Sequence, residues 1–139
     1  MSGKNQYPIV FNWQSTNPAT NFLPNPNQGG SIPSGVLNGG MSSTNTIYSQ
    51  IVDISKMDNQ GLEVTYTGTP TGVFSVMVSN SGINFYALTY SPALAQPSGS
   101  AGGYAVNNNQ LPFKYMMLQY TNTSGTGVLT VYGQQKDLN

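Results

Sequence analysis

Gly72-Val-Phe-Ser-Val-Met-Val-Ser-Asn-Ser-Gly-Ile-Asn-Phe-Tyr-Ala-Leu88 reads as two strand-like runs joined at Asn80-Ser-Gly-Ile83. Successive side chains of a strand point to opposite faces, so Phe74, Val76 and Val78 share one face while Val73, Ser75, Met77 and Ser79 share the other. The first set is wholly apolar and has to be covered. In the second run Phe85, Ala87 and Thr89 alternate with Asn84, Tyr86 and Leu88, and Ser81-Gly82 supplies the conformational tolerance that a tight hairpin turn requires. Turn chemistry and alternation agree on a β-hairpin.

On the N-terminal side, Leu62, Val64 and Tyr66 line one face of a strand with Glu63 and Thr65 opposite, and Thr67-Gly-Thr-Pro-Thr-Gly72 turns the chain into the hairpin. Before them, Ile47, Ser49, Ile51 and Asp53 alternate with Tyr48, Gln50, Val52 and Ile54 over a β-favouring stretch, and residues 55–61 read as a polar connection. Asn38-Gly39-Gly40 reads as a flexible break. On the C-terminal side, residues 91–103 are small and loop-like, the best candidate for a mobile exposed loop. Residues 104–106 are a short strand, and Asn107-Asn-Asn-Gln110 a bend. Phe113, Tyr115, Met117 and Gln119 then alternate with Lys114, Met116, Leu118 and Tyr120; both faces are apolar, as in an inner strand or one at an interface. Asn122-Thr-Ser-Gly-Thr-Gly127 leads into a strand over residues 128–132 and a polar tail.

The count is about seven or eight short strands with turn signals between them, and no window supports an amphipathic helix. The fold class is therefore all-β, an antiparallel sandwich over residues 36–139. Residues 1–35 differ. Pro8, Pro18, Pro24, Pro26 and Pro33 are interleaved with Asn, Gln, Ser and Gly, which predicts an extended N-terminal arm. Tyr7, Phe11, Trp13, Phe22 and Leu23 are its apolar anchors. They need a surface, either the protein's own sandwich or a neighbouring subunit, and subunit exchange of this kind is known for termini.

Charged residues make up 6% of the 139-residue chain and the formal net charge is zero, against roughly a quarter charged in an average soluble protein. A near-neutral surface resists association poorly, so much of it is expected to be covered by identical or different subunits, a neutral polar surface adequate for a monomer being the alternative. Lys4, Lys56, Lys114 and Lys136 are scattered and arginine is absent, which argues against phosphate-directed nucleic-acid binding. With no cysteine and no histidine, disulfides, thiolate catalysis, the usual zinc ligands and the serine-triad base are excluded. No run is long enough for an apolar membrane-spanning helix, and Met1-Ser-Gly-Lys-Asn-Gln-Tyr-Pro8 has no signal-peptide core, so synthesis in the cytoplasm without membrane insertion is expected.

Acidic residues are Asp53, Asp58, Glu63 and Asp137. Only a carboxylate pair runs glycoside hydrolysis without histidine, and Asp53 with Glu63 is the pairing that adjacent strands would allow. Solvated strand-edge and turn positions are the commoner role for such residues, so no enzyme is expected. Asp53, Asp58 and Asn59 carry oxygen ligands but match no calcium-loop spacing. No cofactor or metal is expected. The many tyrosines suit sugar stacking and protein interfaces alike.

Three segments together resemble a group of small bacteriophage virion proteins. They are Tyr66-Thr-Gly-Thr-Pro-Thr-Gly-Val-Phe-Ser-Val-Met-Val-Ser79 with Asn80-Ser-Gly-Ile-Asn-Phe85, then Pro112-Phe-Lys-Tyr-Met-Met-Leu-Gln-Tyr120, then Thr123-Ser-Gly-Thr-Gly-Val-Leu-Thr-Val131. Ser81 stands where those proteins carry an acidic residue and Phe85 where they carry tryptophan, while Lys114 and Gln119 fall at basic or variable sites. The resemblance spans residues 47–132 and excludes the arm. It implies a jelly-roll-like sandwich in a virion: a capsid decoration or cement protein on the head surface, a homo-oligomer with a trimer favoured, bound to the major capsid protein or another virion protein. The alternative is a tail-fibre or spike module recognising host glycan.

Overall fold

The computed structural model describes residues 5–15, 39–57, 59–109 and 111–137, with only the backbone of Asn5, Gln6, Tyr7 and Asp137. The described residues form eleven strands and no helix. In chain order they are β1 (Asn5–Val10), β2 (Trp13–Gln14), β3 (Gly40–Met41), β4 (Thr46–Ser49), β5 (Val52–Asp53) and β6 (Asn59–Tyr66). There follow β7 (Thr71–Ser79), β8 (Tyr86–Ala87), β9 (Gly102–Asn109), β10 (Tyr115–Ser124) and β11 (Gly127–Asp137).

Two antiparallel sheets face each other. The first runs β1-β11-β6-β9, with β3 also on β11; the second runs β2-β4-β10-β7-β8, with β5 also on β10. The pairings nest: β3 with β11, β4 and β5 with β10, β6 with β9, β7 with β8. A chain paired this way is one long hairpin rolled up, which is jelly-roll connectivity. Inward residues of both sheets meet in one core that includes Leu62, Val64, Phe74, Val76, Met116, Leu118, Leu129 and Val131.

The central hairpin has the expected faces. Phe74, Val76 and Val78 are buried while Val73 is half exposed. Gly82 takes a positive φ of 78°, the turn role glycine fills without strain. Ser79 Oγ accepts from the Ser81 and Gly82 N–H groups, and Ser81 Oγ from those of Ile83 and Asn84. Ser81 thus supplies the acceptor that an acidic side chain would supply there. The returning strand is only two residues long. Beyond it the loop covers the edge of β7 instead. Leu88 N–H donates to Val76 O, Gly72 N–H to Pro97 O, and Gln96 bonds both backbone groups of Phe74 at 2.7 and 3.0 Å. Of residues 91–103, expected as a mobile loop, Gly102 and Gly103 begin β9, and the part around Gln96 and Pro97 is held as an edge cover that keeps β7 from pairing with another chain.

Five further expectations are corrected. Residues 47–54 are not one strand: residues 46–53 number eight where the facing residues 115–121 number seven, a β-bulge. The alternation changes phase there, so Ser49 and Gln50 are both fully buried, and Leu118 N–H donates to Ser49 Oγ at 2.8 Å. The Asn107-Asn-Asn-Gln110 bend is strand through Asn109, and the polar tail is strand through Asp137, because neighbours satisfy both backbones. Gly39 is no flexible break: its carbonyl accepts from Leu129 N–H at 2.7 Å, and a Cβ there would lie 1.9 Å from Leu129 O. Residues 5–14, read as part of an arm, lie in the sandwich: β1 pairs with β11 and β2 with β4. Ile9, Phe11 and Trp13 are 3%, 5% and 2% exposed in its own core. β1 is an edge strand, where Pro8 is tolerated.

Candidate functional site

On three neighbouring strands of the first sheet the inward positions are filled by the core, and the alternation that buries them turns a second set outward. From β6 come Asn59, Gly61 and Glu63; from β9, Ala105 and Asn107; from β11, Tyr132, Gln134 and Lys136. Register sets them side by side: Gly61 lies between Gln134 and Asn107, and Glu63 between Tyr132 and Ala105. Gly61, Glu63, Ala105, Asn107, Tyr132 and Gln134 line an open groove of about 480 Å³. A second depression of about 230 Å³, lined by Asn59 and Lys136, shares Gly61, Asn107 and Gln134 with it and extends it along β6.

The chemistry of this surface is amphipathic and almost uncharged. Tyr132 is 52% exposed, so its ring offers an apolar face at the groove wall. Gln134 and Asn107 contribute amides, which both donate and accept. Glu63 at one end and Lys136 at the other are its two charged side chains. Aromatic rings with amide hydrogen-bonding groups suit a polyhydroxylated ligand with apolar ring faces.

The interior beneath is unusually polar. Gln135, Gln60 and Asn108 face inward from three adjacent strands, all buried. The Tyr90 hydroxyl donates to Asn108 Oδ1. Burial pushes the Tyr90 and Tyr120 phenols up to about 12, against the Asn108 hydrogen bond for Tyr90 and helped by nearby Tyr66 for Tyr120. It raises Tyr104 as well, helped by Tyr66, Tyr120 and Tyr90.

The one carboxylate pairing that adjacent strands would have allowed, and that was not expected to be catalytic, does not form. Asp53 is in β5 of the second sheet and Glu63 in β6 of the first, both exposed and facing solvent from different layers. Asp53 Oδ1 instead accepts from the Ser55 hydroxyl and N–H at 2.7 and 2.9 Å, which hold its pKa below the ordinary carboxylate value. Asp58 lies outside the described residues. Among the described residues no three His, Cys, Asp or Glu side chains gather as a metal site, and no helix is long and apolar enough to cross a membrane.

Of the five arm anchors, Phe11 and Trp13 are core residues. Tyr7 is described by its backbone, paired with Gln135, and Phe22 and Leu23 lie outside the described residues. Of the groove residues only Glu63, Ala105 and Tyr132 fall in stretches that read as strand; Asn59 and Gly61 read as a connection, Asn107 as a bend, and Gln134 and Lys136 as a tail. Strand order, which brings residues 59–63, 105–107 and 132–136 together, is what the sequence does not display.

Comparison with solved structures finds similarity to the enzymatically active domain of tailspike protein 4 of bacteriophage CBA120, at 12% identity and a TM-score of 0.47. The match covers 99% of this chain and 20% of that one. A CBM4 structure is similar at 9% identity and a TM-score of 0.38, over 78% of this chain and 71% of that one. Both likenesses are distant and assign no activity to this chain. No protein-family model matches it, and no curated protein does.

Proposed function

We propose that this protein is a non-enzymatic phage virion component that binds saccharide on the outward face of its first sheet. The observation that carries the reading is the groove itself, with the exposed ring of Tyr132 beside amides and little charge. The virion setting is supported by the resemblance of residues 47–132 to small phage virion proteins. An array of bacterial O-antigen and capsular oligosaccharides tests it. The full-length protein is expected to bind a subset, and Tyr132→Ala to weaken that binding about tenfold, the equivalent of ~1.4 kcal/mol. A folded wild-type protein that binds none of them overturns the reading.

A second reading, capsid decoration by a trimer, draws support from a different surface. Ile83 and Tyr86, at the hairpin tip, are 72% and 71% exposed, and large apolar side chains at an exposed tip suit contact with a capsid protein. Cryo-microscopy of particles separates the two: copies tiling the head favour decoration, and copies confined to the tail favour glycan recognition.

A further inference from the structure

Gly61 is a mid-strand glycine without an internal reason. It sits in β6, paired on both sides, where glycine weakens a strand. Its backbone is not in the left-handed region, and a Cβ added to it would meet nothing within 4 Å. Gly39, by contrast, is required by a carbonyl 1.9 Å from the same construction. Neither conformation nor crowding asks for glycine at position 61. What the missing side chain does is leave bare peptide as the groove floor between Asn107 and Gln134. The register at Gly61 is regular on both sides, which leaves close approach of a ligand or of another backbone as the use of a glycine there.

An independent observation lies two residues away on the same face. Asn59 Oδ1 is buried and has no hydrogen-bond partner, and Asn59 lines the extension of the groove. Buried acceptors without a donor are rare in folded proteins and call for one. A hydroxyl can donate to it; a carboxylate or phosphate cannot.

From these two features we infer that β6 is the ligand track: an uncharged oligosaccharide lies along it, one ring flat on the peptide at Gly61 and, with the Asn59 side chain turned from its buried position toward the groove, a hydroxyl donating to Asn59 Oδ1. The inference rests on the saccharide reading above and adds the ligand's size and orientation. From Glu63 to Asn59 the track is four residue steps, about 14 Å of extended chain. That exceeds a single sugar ring, so a short oligosaccharide is the fitting class. Glu63 and Lys136 stand at opposite ends and leave the floor between them uncharged.

The test measures melting temperature and saccharide binding on the full chain for wild type, Gly61→Ala, Gly61→Thr and Asn59→Ala, using the same array with single sugars and longer oligosaccharides. Wild type is expected to prefer oligosaccharides over single sugars by at least about tenfold. Gly61→Thr is expected to melt at or above the wild-type temperature while losing about tenfold or more in binding, with Gly61→Ala intermediate. Asn59→Ala is expected to bind oligosaccharides several-fold more weakly. If Gly61→Thr fails to fold, Gly61→Ala decides. Wild-type affinity in the folded Gly61 variants overturns the track and leaves the saccharide reading standing if Tyr132→Ala still loses binding. Absence of any wild-type binding removes both.

Discussion

Gln50 has no exposed surface, yet it is one of the most polar side chains in the chain. Its Oε1 accepts the Asn12 N–H at 2.9 Å and its Nε2 donates to Val10 O at 3.1 Å. Those two backbone groups belong to the step by which the chain leaves β1 in the first sheet for β2 in the second. A crossing residue has no strand neighbour, and the glutamine amide stands in for one. Gln96 does the same for Phe74 on the edge of β7. Removing Gln50 leaves a buried donor and a buried acceptor unmet, at about 1–3 kcal/mol each when uncompensated. Gln50→Leu, which keeps most of the volume, is therefore expected to destabilise by about 2–3 kcal/mol in urea denaturation. A loss below half a kcal/mol would show that the crossing is held by something else. None of this was legible in the sequence, where Gln50 takes its place in an unbroken alternation. The bulge that turns it inward depends on β10, some 70 residues later.

At the scale of elements, legibility followed local pattern. β6, β7 and β10 were readable because large apolar residues repeat at every second position and one sheet face absorbs them all. β9 beyond Val106 and β11 beyond Tyr132 were not, since their inward residues are Asn108 and Gln135. Strand and loop look alike when amides occupy the inner face. β1 and β2 were obscured by Pro8 and by the proline-rich residues after them, although an edge strand accommodates proline. The placement of Ile9, Phe11 and Trp13 carries a consequence for truncation. Deleting residues 1–15 strips three core side chains and uncovers the edges of β11 and β4. Truncating one buried aromatic or large aliphatic residue typically costs about 2–5 kcal/mol, and marginal stability is about 5–15 kcal/mol. The truncated protein is expected to lose its cooperative thermal transition by circular dichroism, and Trp13→Ala alone to lower the melting temperature by several degrees. A truncated protein that melts like the intact one would place residues 5–14 outside the core and return them to the role of an arm. The groove was visible only at its Glu63, Ala105 and Tyr132 end; the rest lies in strand extensions that looked like connection, bend and tail, and the nesting of the strands assembles them.

For the molecule as a whole, the interior rather than the surface sets the response to pH. Four acidic and four basic side chains leave little charge to titrate, and Asp53, the acid held low, is exposed and adds little. Its sign is the usual one for a depressed carboxylate: the contribution is present above the unfolded pKa and lost as pH falls through the folded one. The phenols act oppositely. Tyr90, Tyr104 and Tyr120 are raised from about 10, first by burial, so the folded protein holds protons that the unfolded chain has already released. Their contribution is complete below pH ~10; that of Tyr90 and Tyr120 is lost as pH rises through ~12 and that of Tyr104 also falls on the alkaline side, at up to about 1.4 kcal/mol per pH unit for each phenol. The urea midpoint is accordingly expected to be nearly flat through neutral pH and to fall steeply between pH ~10 and ~12, in step with phenolate absorbance. Tyr104 gives the cleanest check. Its hydroxyl is buried with no partner, while its ring packs edge-on against Phe74 with centroids 6.2 Å apart. Tyr104→Phe keeps that contact, removes an unmet polar atom and removes one titration. Its stability at neutral pH is expected to equal or exceed that of wild type, with a shallower alkaline fall. An unchanged alkaline slope would mean that the Tyr104 phenol does not hold its proton through folding.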